Sequence, residues 1–180
     1  RHRGPNDQGF YTTSTAAIGL NRLSIIDLTT GHQPIENENG NLVLVCNGEI
    51  YNYKPLKSQL ENKGHIFRTK SDVEVILHLY EEEGVESFER LDGMFSFALL
   101  DKKNNRLFLG RDRVGIKPLY YKRTEENITY FGSEVKSLHA VLNSRNADPQ
   151  VISEFMTWGY SISGRSVWKD VDILPPGHYL

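Results

Sequence analysis

The run Asn47-Gly48-Glu49 is the first place where this chain carries legible chemistry. It follows Leu42-Val43-Leu44-Val45-Cys46, an unbroken apolar run of the kind that forms a strand buried on both faces. An amide side chain, a backbone N–H with no side chain beside it and a carboxylate, set at the rim of such a strand, are parts of an oxyanion hole and of polar recognition. Asn-Gly is also the commonest two-residue hairpin signal. The continuation argues against a hairpin, because Asn52 to Gly64 reads as a helix and not as a return strand. Asn52 can cap it, Pro55 falls in its first turn, Tyr53, Leu56 and Leu60 share a face, and Gly64 can end it. Asn47 and Gly48 are therefore expected at a strand-to-helix corner.

Other residues offer related chemistry. Arg22 opens the mostly apolar segment Arg22 to Leu28, which has the alternation of a strand; it is either a solvated strand end or a bidentate clamp for a carboxylate. Asp72 lies in Ser71-Asp72-Val73-Glu74, a capping-box pattern, where a carboxylate complements the helix dipole without any catalytic duty. Cys46 is the only cysteine, which excludes an intrachain disulfide and a cysteine-rich metal site. Alternation along a strand puts it on the face opposite Asn47, and being internal it has no free α-amine. The six histidines make no H-x-x-x-H or H-E-x-x-H spacing, so no metal is expected.

The elements that must position these groups follow from the patterning. Arg1 to Gly9 reads as a polar loop, Ala16 to Leu20 as an apolar segment, and Thr29 to Gly40 as a loop turning at Asn39-Gly40. His65 to Thr69 resembles a short strand. The capping box then starts a helix with Val73, Ile76, Leu77 and Tyr80 on one face and Gly84 as its stop. Met94 to Asp101 and Arg106 to Gly110 form one hairpin, and Leu119 to Lys122 with Ile128 to Gly132 a second. Arg111 and Asp112 between them are read as a structural ion pair. A short helix is expected from Glu134 to Leu142. Asp148-Pro149 starts another, with Val151, Ile152, Phe155 and Met156 as its stripe and Gly159 as its end. Antiparallel strands with grouped helices indicate a layered α+β domain.

With 180 residues, 38% of them apolar and 24% charged, the chain has ordinary composition for one globular domain, residues 1–180. A net charge of -2 with scattered Lys and Arg argues against a nucleic-acid partner. No run has the length needed to cross a bilayer and the N-terminus lacks a signal-peptide core, so no membrane partner and a cytoplasmic address are expected.

Taken together and in order, R-H-R-G-P, R-L-S-I-I-D-L, C-N-G-E-I-Y-N, S-D-V-E-V-I, L-D-G-M-F-S-F-A-L, G-R-D-R-V-G-I-K-P-L-Y, G-S-E-V-K-S-L and L-P-P-G-H-Y-L resemble the glutamine amidotransferase domain of glutamine-hydrolysing asparagine synthetases. The resemblance implies the four-layer αββα sandwich of mainly antiparallel sheets found in N-terminal-nucleophile hydrolases, and hydrolysis of L-glutamine to glutamate and ammonia. It implies that the Asn47 side chain and the Gly48 N–H form the oxyanion hole and that Arg22 binds the glutamine α-carboxylate. Glu49 and Asp72 would help bind its ammonium group, and backbone around Leu23 and Ile25 would line the pocket. It further implies a synthetase domain, in cis or in trans, that would use ATP and magnesium; the S-G-G-x-D-S type motif of that chemistry is not among these residues, and no cofactor is expected in this domain. In the family, R-H-R-G-P lies downstream of the N-terminal cysteine nucleophile, the first strand and the first helix. The 180 residues by themselves are accordingly expected to be inactive. The alternative is a nucleophile-less domain that binds or docks a synthetase partner.

Overall fold

The apolar run before Asn47 becomes the middle of the molecule because both of its faces find apolar partners. The computed structural model describes Gly4 and residues 7–22, 31–142 and 146–180, with Arg22 described by its backbone alone. The strands are β1 (Asp7–Thr12), β2 (Ala17–Arg22), β3 (Ile35–Glu36), β4 (Leu42–Ile50), β5 (Gly93–Asp101), β6 (Arg106–Arg111), β7 (Tyr120–Arg123), β8 (Thr129–Gly132) and β9 (Asp172–Ile173). The α-helices are α1 (Tyr53–Asn62), α2 (Val75–Glu83) and α3 (Pro149–Trp158), with 3-10 segments at Asp72–Glu74, Gly84–Arg90 and Val135–Val141. The strands form the sheets β1-β2, β3-β4-β5-β6 and β8-β7-β9, and every pairing is antiparallel.

Period-two alternation sorts β4 between two cores. Leu42, Leu44, Cys46 and Ile50 join Leu56 and Leu60 of α1, Ile76 and Leu79 of α2, and Phe95, Phe97 and Leu99 of β5. Val43 and Val45 join Ile18, Ala98, Leu100, Leu109, Leu119 and Leu174 on the other side. Val135–Val141 packs on β7 and β8. The result is the αββα layering, with the four-stranded sheet apolar on both faces.

The expected hairpins form, as β5-β6 and β7-β8. Gly84 ends α2 with φ 64°, Asp148 caps α3 by accepting from the Gln150 N–H, and Gly159 closes it with φ 80°. Other expectations are corrected. β1 begins at Asp7, inside the segment read as a loop, because it pairs with β2 from Asp7↔Arg22 onward. Of the strand expected from Arg22 to Leu28, residues 23–28 lie outside the described residues. β4 runs to Ile50, so Asn47 and Gly48 lie within a strand, opposite Ser96 and Phe95, and the corner comes after them. Asn52 holds the cap position of α1, but its amide serves Arg90 O and the Asp92 N–H instead of the helix.

His65 to Thr69 is not a strand: three of its N–H groups are met by carboxylates, Ile66 by Glu38 and both Arg68 and Thr69 by Glu74, and that of His65 by Leu60 O. That use of Glu74 also leaves the capping box open; Ser71 makes no side-chain cap, and a 3-10 turn precedes α2. The helix expected from Glu134 is the 3-10 segment Val135–Val141. The α3 stripe faces outward, with Val151 buried but Phe155 60% and Met156 80% exposed. No helix among the described residues is long and apolar enough to cross a membrane.

Arg111 and Asp112 are structural, but they do not pair with each other. The Arg111 guanidinium donates to the carbonyls of Gly115, Lys117 and Leu174 at 2.7–2.8 Å. The fully buried Asp112 carboxylate accepts from the N–H groups of Phe95, Val114, Ile116 and Lys117 at 2.9–3.2 Å. Burial pushes that carboxyl up, and the N–H donors outweigh burial and hold it below the usual carboxylate range. Asp112→Asn should therefore destabilise the fold by roughly 2–3 kcal/mol, since it removes charge-assisted acceptance and turns an NH₂ toward N–H groups. Because the folded-state value lies below the unfolded one, the wild-type advantage is complete above about pH 4 and lost as pH falls through the lowered value. Denaturant unfolding of both proteins between neutral and acid pH checks this; a difference that is constant with pH contradicts it.

Candidate active site at the end of strand β4

The last residues of β4 are held more tightly than a strand end usually is. Two glycines let β4 and β5 approach closely: a Cβ on Gly48 would sit 2.0 Å from Met94 O, and one on Gly93 would sit 2.2 Å from Glu49 O. Side chains then fasten the backbone on either side of Asn47. The buried Gln33 amide clamps Cys46 in both directions, donating to its carbonyl at 3.0 Å and accepting from its N–H at 2.6 Å. Asp72, 3% exposed, accepts the Ile50 N–H at 2.6 Å. On the facing strand, Asp112 accepts from Phe95, the register partner of Gly48.

Asn47 and Glu49 share the face of Val43 and Val45, toward the second core, and are half-buried there along with Gly48 at the strand's edge. Asn47 therefore stands on a backbone that does not have to reorganise, the condition under which a donor stabilises developing charge. Asp72 is brought to the same strand end but lies behind it, serving the backbone. Burial pushes its carboxyl up, the Glu49 charge pushes the same way, and the N–H groups of Ile50, Asp72 and Val73 pull it down; the balance is upward.

Cys46 faces the helices with Leu44 and Ile50, as alternation requires. Burial pushes its thiol far above the usual range, the Asp72 charge adds to that and Lys117 only partly opposes it. It is inert as a nucleophile. Arg22 ends β2, a strand that packs on β4. Its side chain, and Leu23 and Ile25, lie outside the described residues.

Gln33 was not found from sequence; it sits in a turn-rich stretch with no periodicity to mark it. Asp112 was seen, but as half of an ion pair. The dispersed histidines also hid a convergence far from Asn47: Glu38, His65, His78 and Glu81 each place one donor atom within 4.8 Å of the others. The spacing His78-x-x-Glu81 on α2 was the one local trace of it.

A family model for a glutamine amidotransferase domain matches residues 1–180. The glutamine-hydrolyzing asparagine synthetase 2 of Bacillus subtilis is 43% identical over 99% of this chain and 24% of its own length. Asparagine synthetase B of Escherichia coli is 44% identical over 77% of this chain and 25% of its own. The chain thus spans about a quarter of the length of these curated relatives. Among solved structures, the glutamine phosphoribosylpyrophosphate amidotransferase of B. subtilis superposes with a TM-score of 0.57 at 29% identity, over 74% of this chain and 31% of that one. Its sheets, its layering and its sequence place this chain in the glutamine amidotransferase domain family, on the N-terminal-nucleophile hydrolase fold.

Proposed function

We propose that the chain is the glutaminase domain of a glutamine-hydrolysing asparagine synthetase, releasing ammonia from L-glutamine for transfer to an activated aspartate. The observation that carries this reading is the immobilised Asn47-Gly48 pair, fastened through Gln33, Asp72 and Asp112. In this reading a cysteine thiolate that precedes these residues adds to the glutamine amide carbon. The carbonyl oxygen becomes an oxyanion that accepts from the Asn47 side chain and the Gly48 N–H. The thiol proton, taken up by that cysteine's own α-amine, passes to the departing nitrogen, so collapse expels ammonia and leaves a thioester, which water hydrolyses to glutamate and the free thiol. Arg22 holds the α-carboxylate by its planar fork, backbone near Leu23 and Ile25 lines the pocket, and Glu49 with Asp72 helps bind the ammonium group. Asp72 acts chiefly through the Ile50 N–H that it already holds.

The synthetase domain, in cis or in trans, carries the ATP and magnesium chemistry in this proposal, and this domain needs no cofactor for glutamine hydrolysis. The outward stripe Ile152, Phe155 and Met156 supports such a partner, since an exposed apolar face of this kind is what a docked domain covers. The proposed address is the cytoplasm.

In the full-length protein, Asn47→Ala should lower kcat for glutamine hydrolysis roughly 10²- to 10³-fold, about 2.7–4 kcal/mol, with little change in KM, because the donor acts in the transition state. Circular dichroism must first show an intact fold. A folded variant that keeps its kcat and loses only KM makes Asn47 a recognition residue. Arg22→Lys should instead raise the KM for glutamine, since a point charge does not reproduce the bidentate fork. An unchanged glutamine dependence removes Arg22 from the pocket. Cys46→Ala should leave glutamine turnover intact when the fold is retained; loss of ammonia release in that variant sinks the assignment of an upstream nucleophile.

A further inference from the structure

At the other end of β4, roughly 20 Å along the strand from Gly48, lies a polar cluster that the glutamine chemistry does not use. Glu38 comes from the β3–β4 turn, His65 from the segment after α1, and His78 and Glu81 from successive turns of α2. His78 is completely buried, yet neither of its ring nitrogens makes a hydrogen bond among the described residues, and neither does Glu38 Oε2. The carboxylate oxygens nearest the His78 ring nitrogens, at 3.4 and 3.6 Å, make contact without hydrogen-bond geometry, and so loosely paired a polar cluster in a buried place has room for a ligand.

The donor types and their spacing suit a metal ion. His78 Nδ1 and Glu38 Oε2 are 3.4 Å apart, and His65 Nδ1 is 3.2 Å from Glu38 Oε1 and 3.9 Å from Glu81 Oε2. A tetrahedron of nitrogen and oxygen donors about 2.0–2.2 Å from Zn²⁺ has edges of about 3.3–3.6 Å, so the His78–Glu38 pair at 3.4 Å already fits, and the four donors, all within 4.8 Å of one another, close on an ion by drawing in by about 1 Å. Outer groups orient these donors as metal sites require. Glu82 Oε1 stands 3.1 Å from His65 Nε2, which leaves Nδ1 to face the cluster. Glu74 Oε1 lies 3.6 Å from His78 Nε2. The amides of Asn37 and Asn39 donate to the Glu81 carboxylate at 3.1 and 2.9 Å. Ile66 N–H occupies Glu38 Oε1, leaving Oε2 free to face His78.

We propose that Glu38, His65, His78 and Glu81 bind one Zn²⁺ ion in a closed structural site that ties the β3–β4 turn and the 65–70 segment to α2. Two carboxylates match the charge of the ion, and two imidazoles favour zinc over magnesium or calcium.

The test uses the full-length protein stripped with EDTA and then titrated with Zn²⁺, and separately with Co²⁺. The wild type should bind one Zn²⁺ in the micromolar range or tighter, show a raised Tm, and give the visible absorption of tetrahedral Co²⁺. Glu81→Gln changes an exposed residue and should fold; it should weaken that binding at least tenfold and abolish the Tm rise. His65→Gln should do the same, provided its metal-free Tm matches the metal-free wild type. A wild type with no saturable Zn²⁺ binding below about 10 µM overturns the site. Binding of equal tightness in wild type and Glu81→Gln overturns it too, and assigns the metal to other residues.

Discussion

The geometry at Asn47 depends on buried polar side chains that bind backbone. A strand end frays unless something other than the ladder holds it. Here Asp72 holds the Ile50 N–H, Gln33 holds both backbone groups of Cys46, and Asp112 holds the N–H of Phe95 across the sheet. Uncompensated burial of a carboxylate costs several kcal/mol, so Asp72 and Asp112 are tied to their N–H partners as firmly as those are to them. Asp112 carries the constraint outward, because the same carboxylate folds the loop through Val114, Ile116 and Lys117. Arg111 grips that loop from its carbonyl side. The site and the β6–β7 connection therefore form one cooperative unit.

Features with a local pattern were legible in the sequence: the buried β4, helices α1 and α2, both hairpins, and the Asp148 and Gly159 ends of α3. The partners of charged side chains were not. Arg111 and Asp112 are adjacent and opposite in charge, yet consecutive residues leaving a strand point to different sides, and each found backbone before it could find the other. Ser71-x-x-Glu74 has the capping-box spacing, but Glu74 is used five and six residues back, at Thr69 and Arg68. Those same bonds hold the segment after Ile66 without a neighbouring strand, since carboxylates take the place of a neighbouring chain.

For the candidate site, the residue types were legible and their placement less so. Asn47-Gly48 carries either a hairpin or a corner signal, and the strand runs through it because β5 pairs with it as far as Ile50↔Gly93 and Asp72, 22 residues beyond Ile50, receives the Ile50 N–H. Nothing local to Asn47 encodes that. Cys46 was placed correctly because alternation is a strict geometric rule, and its inertness follows from the core that alternation assigns it to.

Helices α1 and α3 show where periodicity stops being informative. Both carry an apolar stripe at helical spacing, and both form. Leu56 and Leu60 of α1 are buried under the central sheet, whereas Phe155 and Met156 of α3 remain exposed. A stripe states that a helix gains by being covered, on the order of 1.5–3 kcal/mol for each large side chain, but it does not state what covers it. In α1 the cover is the chain's own sheet. In α3 it is not found among the described residues, so the helix rests on Val151, its Asp148 cap and its Gly159 terminus. The end of β4 is thus organised from within, by buried polar side chains that bind backbone, while α3 carries an apolar stripe that nothing among the described residues covers.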